Sequence, residues 1–330
     1  MQLRSWFAPF SLSLAVACAS TPPPAPEPTP TPTPVAEATA PTPEPSPSAP
    51  PAPPAPTPPP PVQRYTGAFA TPESVLYDAA NDRYLVSNIN GSPTALDDNG
   101  FISILSPDGK VVEPRWIEGG KKKVKLSAPK GMTIVKNVLW VADVDTLRAF
   151  DLKTGAPKES VKIPGATFLN DVAAAANGDV YVSDSGLAFA DGNFSPTGAD
   201  AIWVVKNRKA TALAKREELG RPNGLFVDGD HVWFNTFGSG ELVRLDAKGA
   251  RVEGEKLPTG SLDGLVRVGD QFLVSSWEGS QVFLGKPGAW KVVFEALKAP
   301  ADLGFDTKRS LVLVPRFLED AVEVYALPTP

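Results

Sequence analysis

Six positions carry the side chains with the most chemistry to offer. They are Glu73, Lys130, Asn170, Asn223, Asp263 and Ala301, at spacings of 57, 40, 53, 40 and 38 residues. Each stands at or near the start of a short apolar run, which is followed by a turn and a second apolar run. The clearest copy is Arg221-Pro222-Asn223-Gly224-Leu225-Phe226-Val227, then Asp228-Gly229-Asp230, then His231-Val232-Trp233-Phe234-Asn235-Thr236. Its Asp-Gly-Asp punctuation is of the type that closes a β-hairpin. Glu, Asn and Asp offer hard oxygen ligands, which suit Ca²⁺, Mg²⁺ or Mn²⁺ better than a thiolate-seeking metal. Independent surface loops would not place so many polar groups at one repeat position.

The elements that must position these residues follow from the repeat. The other copies begin at Pro72-Glu73-Ser74, Pro129-Lys130-Gly131, Leu169-Asn170-Asp171, Leu262-Asp263-Gly264 and Pro300-Ala301-Asp302. A period near 40 with several short strands per repeat is the signature of a propeller. Six copies predict an all-β, six-bladed β-propeller with a central channel. The six anchors then start the innermost strands at the top of that channel and converge on its axis. Helical periodicity is confined to two short patches, 174–176 and 215–219. Blade 1 is expected to place strands at about 74–78, 83–88, 101–106 and 111–117. Blade 6 runs out of chain after 321–326. Its outer strand is expected from 63–69, since an open edge exposes unpaired backbone groups. Two insertions, 89–100 and 186–199, fall between the second and third strands of their blades, on the rim where the anchors start. Their Asp97-Asp98-Asn99-Gly100 and Asp191-Gly192-Asn193 segments are expected to be turns rather than ligand loops.

The chain divides into three parts: a signal segment at 1–18, a spacer at 19–62 and the propeller at 63–330. Arg4 followed by an apolar stretch too short to span a bilayer marks a secretory signal. It ends Leu14-Ala15-Val16-Ala17-Cys18, resembling a bacterial lipobox, and Cys18 is the single cysteine of the chain. Cys18 is therefore the expected lipidation site. Residues 21–61 hold 21 of the 37 prolines and have almost nothing to bury. As a polyproline spacer they would reach about 120 Å. The expected location is the bacterial cell envelope, as an outer-membrane lipoprotein facing the periplasm or the cell surface. Contact with the membrane is through the lipid alone. One Arg and three Glu precede residue 62, so the propeller carries −3 of the chain's net −5. That balance offers no case for nucleic acid. The expected partner is a small molecule, and the chain is read as a monomer. The run Lys121-Lys122-Lys123, with Lys125, is read as a solvated turn.

With these motifs in hand, residues 72–327 resemble the senescence marker protein-30, gluconolactonase and luciferin-regenerating enzyme family. The resemblance rests on Pro72-Glu73, Asn170-Asp171, Pro222-Asn223-Gly224-Leu225 and Asp263-Gly264-Leu265. It implies one divalent cation, Ca, Mg or Mn, held by Glu73, Asn223 and Asp263. It also implies that Asp263 is the general base in lactone hydrolysis and that Asn170 contacts substrate or solvent. Two departures stand out. Where some sugar-lactone members carry arginine, two places before the third-blade asparagine, this chain has Phe168. Lys130 occupies an anchor; it either pairs with Glu73 or Asp263 in place of a metal, or binds a substrate carboxylate. His231 is the only histidine. It follows the hairpin turn at the opposite end from the anchors and is read as a structural or surface residue. The expected function is metal-dependent hydrolysis of a lactone or related ester. The alternative is a non-catalytic propeller that presents its top face to a ligand or protein partner. A third option is a lyase or synthase of the strictosidine-synthase-like type.

Overall fold

The computed structural model describes residues 60–328. Cys18, the signal segment and nearly all of the proline-rich spacer lie outside the described residues. The rest is a ring of six four-stranded antiparallel sheets. Blade 1 is β2 (Pro72–Asp78), β3 (Arg83–Asn88), β4 (Phe101–Ser106) and β5 (Lys110–Glu118). Blade 2 is β6 (Pro129–Val135), β7 (Val138–Asp143), β8 (Thr146–Asp151) and β9 (Val161–Lys162). Blade 3 is β10 (Leu169–Ala174), β11 (Val180–Asp184), β14 (Ala201–Lys206) and β15 (Lys209–Lys215). Between β11 and β14 it carries an extra hairpin, β12 (Leu187–Ala190) and β13 (Asn193–Pro196). Blade 4 is β16 (Pro222–Asp228), β17 (His231–Thr236), β18 (Glu241–Leu245) and β19 (Arg251–Lys256). Blade 5 is β20 (Leu262–Val268), β21 (Gln271–Ser276), β22 (Gln281–Lys286) and β23 (Ala289–Phe294). Blade 6 is β24 (Gly304–Asp306), β25 (Leu311–Arg316), β26 (Ala321–Ala326) and β1 (Gln63–Thr66).

The core lies between the blades. The second strand of each blade is largely buried on both faces, so it has no polar alternation: Arg83–Asn88 is buried from Tyr84 onward, with Trp140 and Tyr181 the partly exposed exceptions within the strands of blades 2 and 3. The outer strands alternate or are exposed, as in Lys110–Glu118. Each pair of neighbouring blades shares one apolar layer. Leu85, Ile102 and Ile104 of blade 1 pack with Met132, Leu139 and Val141 of blade 2. The ring closes with the same kind of layer, in which Tyr65, Val322 and Val324 of blade 6 meet Val75, Tyr84 and Leu105 of blade 1.

The N-terminal strand supplies the outer edge of blade 6, with Gln63 opposite Val324 and Thr66 opposite Ala321. It stops short of the expected residue 69 because Gly67 turns left-handed, at φ 76°. Two further ties cross the seam: the Tyr65 hydroxyl donates to the Ser106 carbonyl at 2.7 Å, and the Tyr84 hydroxyl to Asp306 at 2.7 Å. Deleting residues 62–69 therefore opens a sheet edge and uncovers Tyr65. Scanning calorimetry is expected to show a melting temperature about 10 °C lower, from a loss of a few kcal/mol. A deletion as stable as the parent would contradict closure by this strand.

Of the two helix-like patches, the first lies at the end of β10 and in the turn after it. The second contains one short 3₁₀ turn, Glu217–Leu219. Among the described residues no helix is long and apolar enough to cross a membrane.

Candidate functional site

The anchors owe their direction to a repeated defect in the sheet. In blades 1 to 5 the register between the first and second strands slips at the anchor. The slip lies between Pro72 and Ser74, Pro129 and Met132, Leu169 and Val172, Pro222 and Leu225, and Leu262 and Leu265. A bulge frees one residue from the ladder and re-aims its side chain. The amide it releases needs another acceptor, and the second strand provides one in four blades. Ser74 N–H bonds to Ser87 Oγ at 3.0 Å and Asp171 N–H to Ser183 Oγ at 2.8 Å. Gly224 N–H bonds to Asn235 Oδ1 at 3.0 Å and Gly264 N–H to Ser275 Oγ at 2.7 Å. The residue after the anchor must also be small where neighbouring inner strands touch. A Cβ on Gly224 would lie 2.5 Å from the Asp263 carbonyl oxygen, and one on Gly264 2.4 Å from Leu303 N.

Five of the six anchors meet in one cavity at the top of the channel. Glu73, Lys130, Asn170, Asn223 and Asp263 all line it and all are buried. Ala301, as its side chain suggests, contributes no polar group. The enclosed volume is about 50 Å³. That is room for water-sized groups. Glu73 Oε2 and Asp263 Oδ1 accept no hydrogen bond, although both are fully buried. Burial pushes Glu73 well above the usual carboxylate range; Asp263 and Asp302 push it further and Lys130 pulls it back. Burial also pushes Asp263 up, with Asp302 adding to it, while Trp277 and Asn223 work the other way. The Trp277 indole N–H stands beside that carboxyl without reaching hydrogen-bond geometry, and it too lacks a partner.

The other polar groups are braced by the scaffold. Asn170 Nδ2 donates to Ser185 Oγ at 3.0 Å, and Ser185 Oγ donates to the Pro222 carbonyl at 2.7 Å. Asn223 Nδ2 donates to the Leu262 carbonyl at 3.3 Å. Lys130 makes no ion pair with Glu73 or Asp263. Its ammonium donates to the carbonyls of Pro93 (3.0 Å) and Ala128 (3.1 Å) and stands 4.3 Å from the centre of the Phe168 ring. Burial lowers its pKa to about 8, against the pull of Glu73.

The donor set fits a hard cation in chemistry. Two buried carboxyl oxygens lack any donor, and two carboxamides stand beside them, all of them oxygen ligands. The carboxylates number two, not three. Among the described residues no three His, Cys, Asp or Glu side chains gather as a metal centre. Any further oxygens would come from the asparagines or from water.

Around this polar floor the wall is apolar. The residue just after each second strand forms a collar: Ile89, Val144, Ser185, Phe237, Trp277 and Phe317. Ile89, Phe237, Trp277 and Phe317 of this ring line the cavity. Trp277 packs between Phe237 (5.7 Å) and Phe317 (4.9 Å). Collar backbones are pinned to the carbonyl two residues before the anchor, as in Phe237 N–H to Arg221 O at 2.9 Å and Trp277 N–H to Ser261 O at 3.0 Å. The two insertions close the top. The β12–β13 hairpin brings Leu187 and Phe194, and the 89–100 loop brings Pro93. Phe194 packs on Phe168 at 5.9 Å and Phe189 at 4.8 Å. Asp191-Gly192 is the hairpin's turn, and Asp98 pairs with Lys125 at 2.5 Å, so these acids serve the loops.

Two acids outside the anchor set lie one residue further along. Asp171 and Asp302 face a second cavity, about 310 Å³, at the other end of the channel. The repeat position after the anchor reads Ser74, Gly131, Asp171, Gly224, Gly264 and Asp302, so a signal for them is present in the sequence. These carboxylates already have donors. Asp171 accepts Val172 N–H and Leu225 N–H, both at 2.6 Å, and Asp302 accepts Ser74 Oγ–H at 2.5 Å. Burial raises Asp302 to about 7. His231 is half-exposed and touches Asp230 at 2.7 Å, away from both cavities.

Comparison with known proteins places this geometry in a fold. No family model matches the chain, and no curated protein matches it. Solved structures do. A structure described as a putative gluconolactonase is 17% identical with a TM-score of 0.57, covering 81% of this chain and 94% of that one. A streptogramin B lyase is 12% identical with a TM-score of 0.54, covering 79% and 96%. A chain of a nidogen/laminin complex is 14% identical with a TM-score of 0.51, covering 64% and 74%. The likeness is one of fold, and it supports the expected β-propeller. The three carry different functions in their names, so function must be argued from the site.

Proposed function

We propose that the chain is a divalent-cation-dependent hydrolase of a lactone or related ester. The observation that carries this reading is the pair of buried, donor-less carboxyl oxygens, Glu73 Oε2 and Asp263 Oδ1, in a cavity with an apolar wall. Two like charges stripped of water repel each other, and a cation between them is the simplest compensation. Glu73, Asn223 and Asp263 would hold it. When bound, the cation polarises the ester carbonyl and makes a nearby water more acidic.

The chain's own residues do the rest. Asp263, with its free oxygen, accepts the proton of the attacking water. Water's hydroxide adds to the acyl carbon, the acyl–oxygen bond breaks, and the proton held by Asp263 passes to the leaving oxygen, giving acid and alcohol, joined in one molecule when the substrate is a lactone. Asn170, held by Ser185, orients the carbonyl. Lys130 has two of its N–H bonds on backbone carbonyls, which favours a bracing role under the 89–100 loop over capture of a substrate carboxylate. The small enclosed volume favours a second reading, a binding propeller without turnover. Titration of the full-length chain with Ca²⁺ and Mn²⁺, followed by a lactone and ester panel read by pH indicator, separates the two. Cation binding with turnover supports the hydrolase; cation binding without turnover leaves the site and removes the reaction.

The envelope location belongs to the same proposal. Cys18→Ser is expected to move the protein from the membrane fraction to the soluble fraction on cell fractionation. Retention of the variant in the membrane fraction would contradict the lipid anchor.

A further inference from the structure

We infer that the acyl compound this cavity takes is apolar, a lactone or ester bearing an alkyl or aryl substituent rather than a polyhydroxylated ring. The inference rests on the hydrolase reading for the words lactone and ester, and on the wall of the cavity for the word apolar. That wall has two sources. The collar contributes Ile89, Phe237, Trp277 and Phe317 through one repeat position, so four blades present apolar surface at the same height. The hairpin over it contributes Leu187 and Phe194.

The donors at the site are engaged below that height, and the oxygens left free there, Glu73 Oε2 and Asp263 Oδ1 with the two carboxamide oxygens, are the ones assigned to the cation. Lys130 donates to two carbonyls, Asn170 to Ser185 and Asn223 to Leu262. Trp277 Nε1–H is the one buried donor of the wall without a partner. A ring with several hydroxyls would bury them against Phe168, Phe194, Phe237 and Phe317 with nothing to bond to, and each unpaired hydroxyl is strongly disfavoured. An alkyl or aryl group meets surface of its own kind there, while the single Trp277 N–H suits one carbonyl or ring oxygen.

A hexyl or aryl group needs more room than the cavity of about 50 Å³ offers, and the hairpin that carries Leu187 and Phe194 is the part of the wall placed to make that room. The hairpin is built for a loose closure. Its second strand, Asn193–Pro196, is exposed throughout. Its bond to the opposing loop is the long contact from Thr94 Oγ1 to the Phe189 carbonyl at 3.5 Å. A substrate's apolar group then takes over contacts that Phe194 makes with Phe168.

The test uses the purified full-length chain with Ca²⁺ or Mn²⁺ and two matched pairs of compounds. One pair is a five-membered lactone with a hexyl chain and an aldonolactone of the same ring size. The other is the corresponding lactams, which resist hydrolysis and report binding by calorimetry. Burial of even two methylene groups corresponds to about tenfold. The expected result is a kcat/KM at least about tenfold higher for the hexyl lactone, with the same order in lactam affinity. Phe194→Ser is expected to shrink that preference; Phe194 is 47% exposed at the hairpin, so the change leaves the core alone. If the hexyl lactam binds but no lactone is hydrolysed, the apolar site stands and the hydrolase reading falls. If the aldonolactone and its lactam are equal or preferred, the inference is overturned while hydrolysis stands. If neither lactam binds, the inference is overturned as well.

Discussion

Asp263→Asn is expected to lower turnover of any lactone or ester that the chain hydrolyses by roughly 10²–10⁴-fold, and no excess of Ca²⁺ or Mn²⁺ is expected to restore it. The substitution keeps an oxygen at the same place and a side chain of the same shape. What it removes is the ability to take a proton. Glu73→Gln makes the same change of charge on the other orphaned carboxyl, whose proposed task is holding the cation. That variant is expected to bind the cation more weakly and to recover part of its activity at high cation concentration. The contrast isolates the base from the ligand, since both variants relieve the same repulsion. Initial rates over a series of cation concentrations provide the measurement. Full rescue of Asp263→Asn by metal would show that Asp263 is a ligand only.

The second large effect is on stability, and its sign follows from the direction in which burial moves each pKa. Glu73, Asp263 and Asp302 are all raised by burial, Asp302 to about 7. In the unfolded chain such groups titrate near 4. Below that pH both states are protonated, and burial carries no ionic penalty. As pH rises the unfolded chain ionises first, so the cation-free protein loses stability. For Asp302 the loss runs from about pH 4 to about pH 7; for Glu73 and Asp263 it begins near pH 4 and has the same sign. Lys130 acts in a separate window, between about 8 and 10.5. A tenfold difference in proton affinity between the folded and unfolded states corresponds to about 1.4 kcal/mol. Thermal melts in chelator are therefore expected to show Glu73→Gln more stable than wild type at pH 8 and equal to it at pH 4. Added Ca²⁺ is expected to raise the wild-type melting temperature more at pH 8 than at pH 5. A wild-type protein more stable than Glu73→Gln in chelator at pH 8 would contradict the picture of two uncompensated carboxyls.

Much of this is legible in the repeat, and the reasons are physical. Five of the six anchors share one bulge at one place, and the residue it frees is polar in each of those five blades; Ala301 is visible by its spacing. Closure by the N-terminal strand is legible because the chain ends after the third strand of blade 6 while an unassigned strand precedes blade 1. The aromatic collar is not, although it too recurs. Ile89, Phe237, Trp277 and Phe317 each follow a strand that is apolar already, so on periodicity alone they look like its last residue. Only the channel distinguishes a wall from a core. The β12–β13 hairpin looks like a loop in the sequence because Leu187–Ala190 and Asn193–Pro196 are four residues each, with Asp191-Gly192 between them. Lys130 illustrates the limit of composition. A lysine among acids suggests an ion pair, but the backbone carbonyls of Pro93 and Ala128 and the face of Phe168 hold it instead. Asp171 and Asp302 are masked by their position, since each directly follows an anchor.

The claim on which the rest depends is that Glu73 and Asp263 share a divalent cation. Calorimetric titration of the full-length chain with Ca²⁺ and with Mn²⁺ near pH 7.5, repeated in buffers of different ionisation heat, addresses it directly. Burial raises both carboxyls toward the protonated form, and whatever fraction is protonated at the working pH is released when a cation arrives. The account predicts one ion bound per chain, protons released on binding, and both features weakened in Glu73→Gln. No binding of either ion to the wild-type chain, or binding that Glu73→Gln leaves unchanged, would contradict it.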